Sequence, residues 1–385
     1  MVGGIPLGPG PDIPFSSGEE FSMTRNLTRA VRGAGWAAAL AAAACVAAQS
    51  APVNISESGS TLIYPLFQSW AGAYAKVDPG AHITVAATGS GAGISQALAG
   101  HVQIGTSDAY MSDNDAMAHP DILNIPLAIS AQTVDANLPE LRGGTLKLSG
   151  PVLADIYSGK IRSWDDGQIA ALNQGVRLPH RAIVPMRRAD SSGDTFIFTQ
   201  FLSFSTPESD EDTNQGWDNK IGYGTTVNWP SVPGEQAATG NEGMVQTIAR
   251  TPYSVGYVGA SYEDDAAKAG LTVAMLQNQA GNFVLPNAGT VTEAADALTP
   301  RTPPDERLTL VFAPGANSYP LINYEYAVVS SRQPNAATAT AIGNFLMWCI
   351  SPQGGNGASF LGPVHFIPLP TAIRARSEIQ IAKIQ

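Results

Sequence analysis

The sequence is poor in the side chains that metal sites, redox centres and cross-linked folds depend on. Only two of its 385 residues are cysteine, Cys45 and Cys349, and Cys45 falls within an N-terminal apolar leader. The mature chain therefore has no internal disulfide framework and must be held together by packing. The five histidines, His82, His101, His119, His180 and His365, are scattered without the spacing of paired metal ligands, and no carboxylate cluster suggests a two-metal site. Charge is also sparse: 14% of residues, with 21 Lys+Arg against 32 Asp+Glu and a net charge of -11. That balance argues against nucleic acid, whose binding rests on Lys/Arg contacts to phosphates. Beyond the leader no apolar run approaches the roughly 18 residues of a spanning helix, and no repeat of solenoid period is visible.

What is present is a turn-rich globular chain, with 44% hydrophobic residues, 39 glycines and 28 prolines. Its length exceeds what one core usually fills, so two lobes are expected. From Met23 onward, Arg25, Arg29 and Arg32 precede an apolar run from Ala34 through Ala48, with small residues around Val46-Ala-Ala48 for cleavage. This is the pattern of an export signal, and residues 1–22 read as a Gly/Pro-rich extension. Cys45 offers an alternative, a lipid anchor outside the cytoplasmic membrane, although Ala42-Ala-Ala44 lacks the usual leucine three residues earlier. Cys349, between Trp348 and Ile350, reads as a small buried hydrophobe.

Along the mature chain, strand-like and helix-like segments alternate, which predicts parallel sheets flanked by helices. Leu62, Leu66, Trp70 and Ala73 recur at helical spacing after the candidate caps Ser58, Ser60 and Thr61. A β-prone run at 82–87 leads through the turn Thr88–Gly93 into a helix expected over Ile94–Ala99. Val102–Ile104 leads into Gly105-Thr-Ser-Asp108, and Ile183–Arg187 leads into Arg188-Ala-Asp-Ser-Ser-Gly-Asp-Thr195, followed by the aromatic stretch Phe196–Phe201.

Four segments, 59–62, 88–91, 106–108 and 188–195, thus place hydroxyls, glycines or single charges where strands hand over to helices. Free amides and the dipole at a helix N-terminus favour a small oxyanion, and glycine lets the backbone approach it. The hydroxyls of Thr61, Ser90, Ser192 and Thr195 add donors, and Arg188 offers a planar fork. Asp108, with Asp190 or Asp194, would repel a fully ionised anion but can accept a hydrogen bond from the remaining proton of hydrogen phosphate. Rejection of sulfate is then built in.

Each segment alone has a plainer reading: a flexible turn for Gly-Ser-Gly-Ala-Gly93, a helix cap for Asp108, a surface ion pair for Arg188. Neither the dinucleotide fingerprint nor the P-loop pattern fits, since Gly93 comes one residue early and Gly159-Lys160 is followed by Ile161. A phosphatase-like secreted enzyme is the competing reading, but Ser192 has no evident base in the sequence. A surface interaction protein that keeps the lobes for structure alone is the third. Lys160, Trp164 and Asp165 are assigned no chemistry.

Taken in order, the motifs resemble those of the phosphate-binding protein of the high-affinity phosphate ABC transporter, the PstS family. They are Gly59-Ser-Thr-Leu-Ile-Tyr-Pro65, Gly89-Ser-Gly-Ala-Gly-Ile-Ser-Gln96, Gly105-Thr-Ser-Asp-Ala109, Asp155-Ile-Tyr-Ser-Gly-Lys-Ile161 with Trp164-Asp165, and Arg188–Phe196. Gly224-Thr-Thr-Val-Asn-Trp229, Gly256-Tyr257 and Tyr319-Pro-Leu-Ile-Asn-Tyr-Glu-Tyr326 extend the match. The resemblance implies an α/β fold of two Rossmann-like lobes joined by two hinge crossovers, closing on a ligand in the cleft. It places the extension and signal at 1–48, the first lobe at 49–134 plus 319–385, and the second at 135–318. It implies phosphate contacts from Thr61, the Leu62 amide, Ser90, Asp108, Arg188, and Ser192 with the Gly193 amide, with Asp190 bracing Arg188. Asp194 and Thr195 depart from part of the family. Asp194 is either a second acceptor for a phosphate proton or a helix-terminal carboxylate facing away. The implied protein is no enzyme and needs no cofactor. It works as a monomer in the periplasm and delivers inorganic phosphate to membrane permease subunits and their ATPase.

Overall fold

The computed structural model describes residues 52–141, 143–206 and 216–385. The expected leader, with the expected cleavage site and Cys45, lies outside the described residues. Residues 52–385 form one compact unit. Its strands are β1 Val53–Gly59, β2 Ala81–Thr84, β3 Ile104–Ser107, β4 Ile122–Ala136, β5 Leu146–Leu148, β6 Val184–Arg188, β7 Gln236–Ala238, β8 Ser254–Gly259, β9 Thr272–Gln277, β10 Phe283–Val284 and β11 Ile322–Ser330.

The strands join in the order β2-β1-β3-β11-β4-β8-β6-β7, with β9 pairing β4, β5 and β10 beside this path. The sheet is mixed, which corrects the expectation of parallel sheets. β1 is parallel to β2 and β3, and β6 is parallel to β7 and β8. β11 is antiparallel to both β3 and β4, and β4 is antiparallel to β8. The reason is the way the chain passes between the two halves. β4 pairs with β11 through Ala131 and with β8 from Gln132 onward. β11 returns beside it in the opposite direction, so the two long strands must be antiparallel. The burial pattern of β4 explains its sequence, because a strand covered on both faces reads as a nearly continuous buried run rather than an alternation.

The helices begin and end where local chemistry dictates, with small departures from expectation. The first runs Tyr64–Tyr74 and buries Leu66, Phe67, Trp70 and Tyr74. None of Ser58, Ser60 and Thr61 caps it directly; Ser60 Oγ instead accepts from the Leu62 and Ile63 amides in the turn before it. The next helix starts four residues earlier than expected, at Ser90, because Gly89 takes φ = +94° and turns the chain at once out of the preceding loop. The helix after β6 runs Gly193–Ser205, with Ser192 as its N-cap accepting from the Thr195 amide. Its inward aromatic, Phe198, stacks on Tyr257 of β8 with centroids 4.5 Å apart. In the Ala336–Ile350 helix Cys349 is fully buried, and burial pushes its thiol well above the usual range, as suits an inert packing residue. No helix among the described residues is long and apolar enough to cross a membrane.

Candidate functional site

The segments singled out in the sequence converge where the two halves of the sheet meet. β1 ends at Gly59, β3 at Ser107 and β6 at Arg188, and the helices that follow β2 and β6 bring Ser90 and Gly193 to the same place. Ser90 and Gly193 each head a helix, where the first amides have no intrahelical acceptor. The two walls touch. A Cβ placed on Gly193 would come within 2.4 Å of Asp108 Oδ2 and 2.5 Å of Ser90 Oγ. The Gly91 amide donates across to the Ser191 carbonyl at 3.1 Å.

Asp108 lies just beyond β3 and is 3% exposed. Its Oδ1 accepts from Ser60 Oγ, and its Oδ2 accepts from Ser90 Oγ at 3.1 Å. Ser90 Oγ in turn accepts from the Asp108 amide at 3.2 Å. Burial, then the Asp194 charge, pushes the Asp108 carboxyl up to about 7, against the opposing hydrogen bonds from Glu325, Ser60 and Ser90.

Facing it, Arg188 is locked by two carboxylates. Nε donates to Asp190 Oδ1 at 2.7 Å and Nη2 to Asp190 Oδ2, while Nη1 donates to Asp194 Oδ2 at 2.5 Å. Three of the five N–H donors are thus committed, which leaves two for another acceptor. Burial pulls the guanidinium pKa down, but its bonds to Asp190 and the charges of Asp194 and Asp190 more than offset this, so it stays charged. Burial works against ionised Asp190 as well, yet the Arg188 bond and charge hold its carboxyl below the usual range.

Asp194 bonds to Arg188 rather than facing away. It sits in the first turn of its helix, where the dipole favours it, yet it is buried and faces into the site. Gln132 Nε2 donates to its Oδ1 at 3.0 Å and Asn241 Nδ2 to its Oδ2 at 2.8 Å, besides Arg188. Thr61 joins the same network, its Oγ1 accepting from the Asn241 amide and Nδ2 at 3.2 and 2.9 Å. Three other residues use the expected groups in structural bonds. The Leu62 amide donates to Ser60 Oγ at 3.0 Å, and Ser192 Oγ caps its own helix. Thr195 Oγ1 lies 2.7 Å from Tyr257 Oη, which also accepts from the Arg188 amide.

Several residues here escaped the sequence reading. Gln132 sits where β4 changes partners. Asn241 follows Gly240 at the head of the Gly240–Arg250 helix and also accepts from the Gly259 amide at 2.7 Å. Glu325 of β11 is fully buried beside Asp108. Only Asn241 carried a local signal, the Thr239-Gly-Asn run at a strand-to-helix junction; Gln132 and Glu325 sit within continuous strand sequence.

Comparison with known proteins identifies the family. A family model described as a PBP superfamily domain matches residues 46–353. The phosphate-binding protein PstS of Xylella fastidiosa Temecula1 is 33% identical over 324 residues, 84% of each chain. That of Pasteurella multocida is 33% identical over 327 residues, 85% of this chain and 89% of its own. Among solved structures, the periplasmic phosphate-binding protein PfluDING bound with phosphate superposes with a TM-score of 0.65 at 21% identity. It covers 84% of this chain and 92% of that one. A phosphate ABC transporter substrate-binding protein of Clostridium perfringens with bound phosphate gives 0.57 at 18%, covering 83% and 100%. At such identities the structures speak for the fold alone, which is the two-lobed α/β fold of binding proteins. With a family model across most of its length and PstS relatives at one-third identity, the chain belongs to the PBP superfamily and, within it, to the PstS phosphate-binding proteins.

Proposed function

We propose that the mature protein captures one inorganic phosphate ion between its lobes and hands it to a phosphate-importing ABC transporter. The observation that carries this reading is the opposition of Arg188, clamped by Asp190 and Asp194, to Asp108, held by Ser60 and Ser90, at a point where two helix N-termini meet. Arg188's two remaining N–H groups, the leading amides of Ser90 and of Gly193 with Asp194, and the hydroxyls of Thr61 and Ser192 supply donors to phosphate oxygens. Ionised Asp108 accepts the hydrogen phosphate hydroxyl. Asp190, Asp194 and Thr195 act behind this layer, fixing Arg188 and the helix that carries Gly193.

The same reading gives lobes of 49–134 plus 319–385 and 135–318, hinged where β4 and the approach to β11 cross. It makes the chain an exported periplasmic monomer, whose permease subunits and ATPase are partners by family role. It gives the chain no hydrolytic activity, since the Ser192 Oγ hydrogen bond is to the Thr195 amide rather than to a general base. Calorimetry with phosphate and sulfate tests the central claim. One phosphate per chain, preferred over sulfate by orders of magnitude, is the expected result. Equal affinity for sulfate, or no binding of either ion, would overturn it.

A further inference from the structure

Glu325 is a buried ionisable group to which phosphate capture gives no direct task. It lies in β11 with no exposed surface. Its Oε1 accepts from Ser130 Oγ at 2.5 Å and from Asn323 Nδ2 at 3.1 Å. Its Oε2 is equally buried and receives no hydrogen bond from any N–H or O–H donor. The remaining neighbour is a second carboxyl: Asn323 Nδ2 bridges the Asp108 carbonyl and Glu325 Oε1, and the Asp108 and Glu325 side chains interact. Two bare carboxylates in contact inside a protein repel strongly, whereas one shared proton turns the contact into a hydrogen bond.

The donor pattern says which partner holds that proton. Both oxygens of Asp108 accept from serine hydroxyls, an arrangement that favours the ionised form. In Glu325 both donors fall on Oε1, as on the carbonyl oxygen of a neutral carboxyl, leaving Oε2 to carry the hydrogen.

We infer that Glu325 is a positioning residue for anion discrimination, donating an Oε2 proton to Asp108 so that Asp108 remains an ionised acceptor for the hydroxyl of hydrogen phosphate. Electrostatics agree in direction. Burial, then the Asp108 charge, pushes the Glu325 carboxyl well above the usual range, while the Glu325 bond is among the influences that hold Asp108 down. The other charges facing the pair are Asp194, from the Gly193–Ser205 helix, and Arg188 behind it on β6. Without the donor, Asp108 takes up the proton itself and becomes a donor. It then no longer penalises an anion that lacks a proton of its own.

This inference rests on the phosphate reading, and the experiment separates the two. Glu325→Ala removes the donor. Glu325→Gln restores it, because the amide oxygen can accept from Ser130 and Asn323 while Nε2 donates to Asp108. Calorimetry with inorganic phosphate and sulfate is expected to show E325A binding phosphate about tenfold or more weakly, with a narrower preference over sulfate, and E325Q recovering most of both. In the ligand-free protein at neutral pH, the infrared difference between wild type and E325Q should contain a protonated-carboxyl C=O band. Absence of that band, an unchanged phosphate-to-sulfate ratio in E325A, or an E325Q no better than E325A would each overturn the assignment. A wild-type protein that binds no phosphate yet shows the band would overturn the phosphate reading and leave the proton where it is placed here.

Discussion

Replacing Gly193 with alanine puts a methyl group at the point where the two walls of the cleft meet. The new Cβ would stand 2.4 Å from Asp108 Oδ2, 2.5 Å from Ser90 Oγ and 2.6 Å from Asp108 Cβ. The first two atoms can swing aside by side-chain rotation, but Asp108 Cβ is fixed to the backbone at the end of β3. Carbon atoms rest about 3.5 Å or more apart, so the walls must separate by about 1 Å. Gly193 is not among the glycines with positive φ, and alanine is the best helix former, so the fold itself should accept the change. An opening of about 1 Å stretches an ordinary hydrogen bond beyond its working range. If two bonds that reach the ion from one wall are lost, at about 1.5–3 kcal/mol each for a charged ligand, affinity falls by about 3–6 kcal/mol, or roughly 100-fold to 10,000-fold. Calorimetry with phosphate measures the loss, and thermal unfolding without phosphate verifies that the fold is intact. A G193A protein of unchanged Tm that binds phosphate within about threefold of wild type would refute this account of closure.

Asp108→Asn exchanges one acceptor for a donor. It should weaken phosphate by about 1.5–3 kcal/mol while improving sulfate binding, and a competition assay in which sulfate remains excluded would remove Asp108 from the selectivity argument. Asn241→Ala breaks the link between Thr61 and Asp194, leaving Asp194 with fewer donors. About tenfold weaker phosphate binding is expected, and an unaltered Kd would show that Asn241 only supports its own helix. The ligand-free protein should lose stability in alkali. Glu57 and Glu306 are pushed up to about 8, and Asp135 to about 7, in each case mainly by burial. Because these folded values exceed the unfolded ones, their contribution is complete below about pH 4 and disappears as pH rises through 7 to 8. Urea midpoints should therefore be lower at pH 9 than at pH 6, and a midpoint that holds or rises would contradict the burial of these carboxyls.

Much of the site was legible because its chemistry is local. A helix N-terminus that receives an anion needs a glycine, a hydroxyl or a short polar residue within a few positions of a strand end. Gly89-Ser90 and Ser192-Gly193 meet that need in their own stretches of chain. Arg188 and Asp190 are two residues apart, so their bidentate pair is also a local event. The supporting network is not local. Gln132 reaches Asp194 across 62 residues, and Asn241 reaches Thr61 across 180. Nothing in the sequence around Gln132 distinguishes it from a polar residue on the exposed face of a strand, and the Tyr319–Tyr326 motif that contains Glu325 assigned that residue no role. Both strands are in fact covered on both faces, which is what makes their polar groups consequential.

By itself the sequence determined the composition of the walls: which segments can present amides and hydroxyls, which cation stands among them, and an acidic balance that leaves anion binding to local donors. It also determined the α/β class, since the alternation of strand and helix periods is written residue by residue. Tertiary structure alone decided three things. The sheet is mixed, because β4 and β11 run in opposite directions between the halves. Asp194 faces inward onto Arg188, because Gln132 and Asn241 arrive from elsewhere to hold it. Glu325 stands behind Asp108, so the charge state of the acceptor depends on a residue 217 positions away. The physical reason is common to all three: burial and electrostatic coupling depend on distance in space, and the sequence records only distance along the chain.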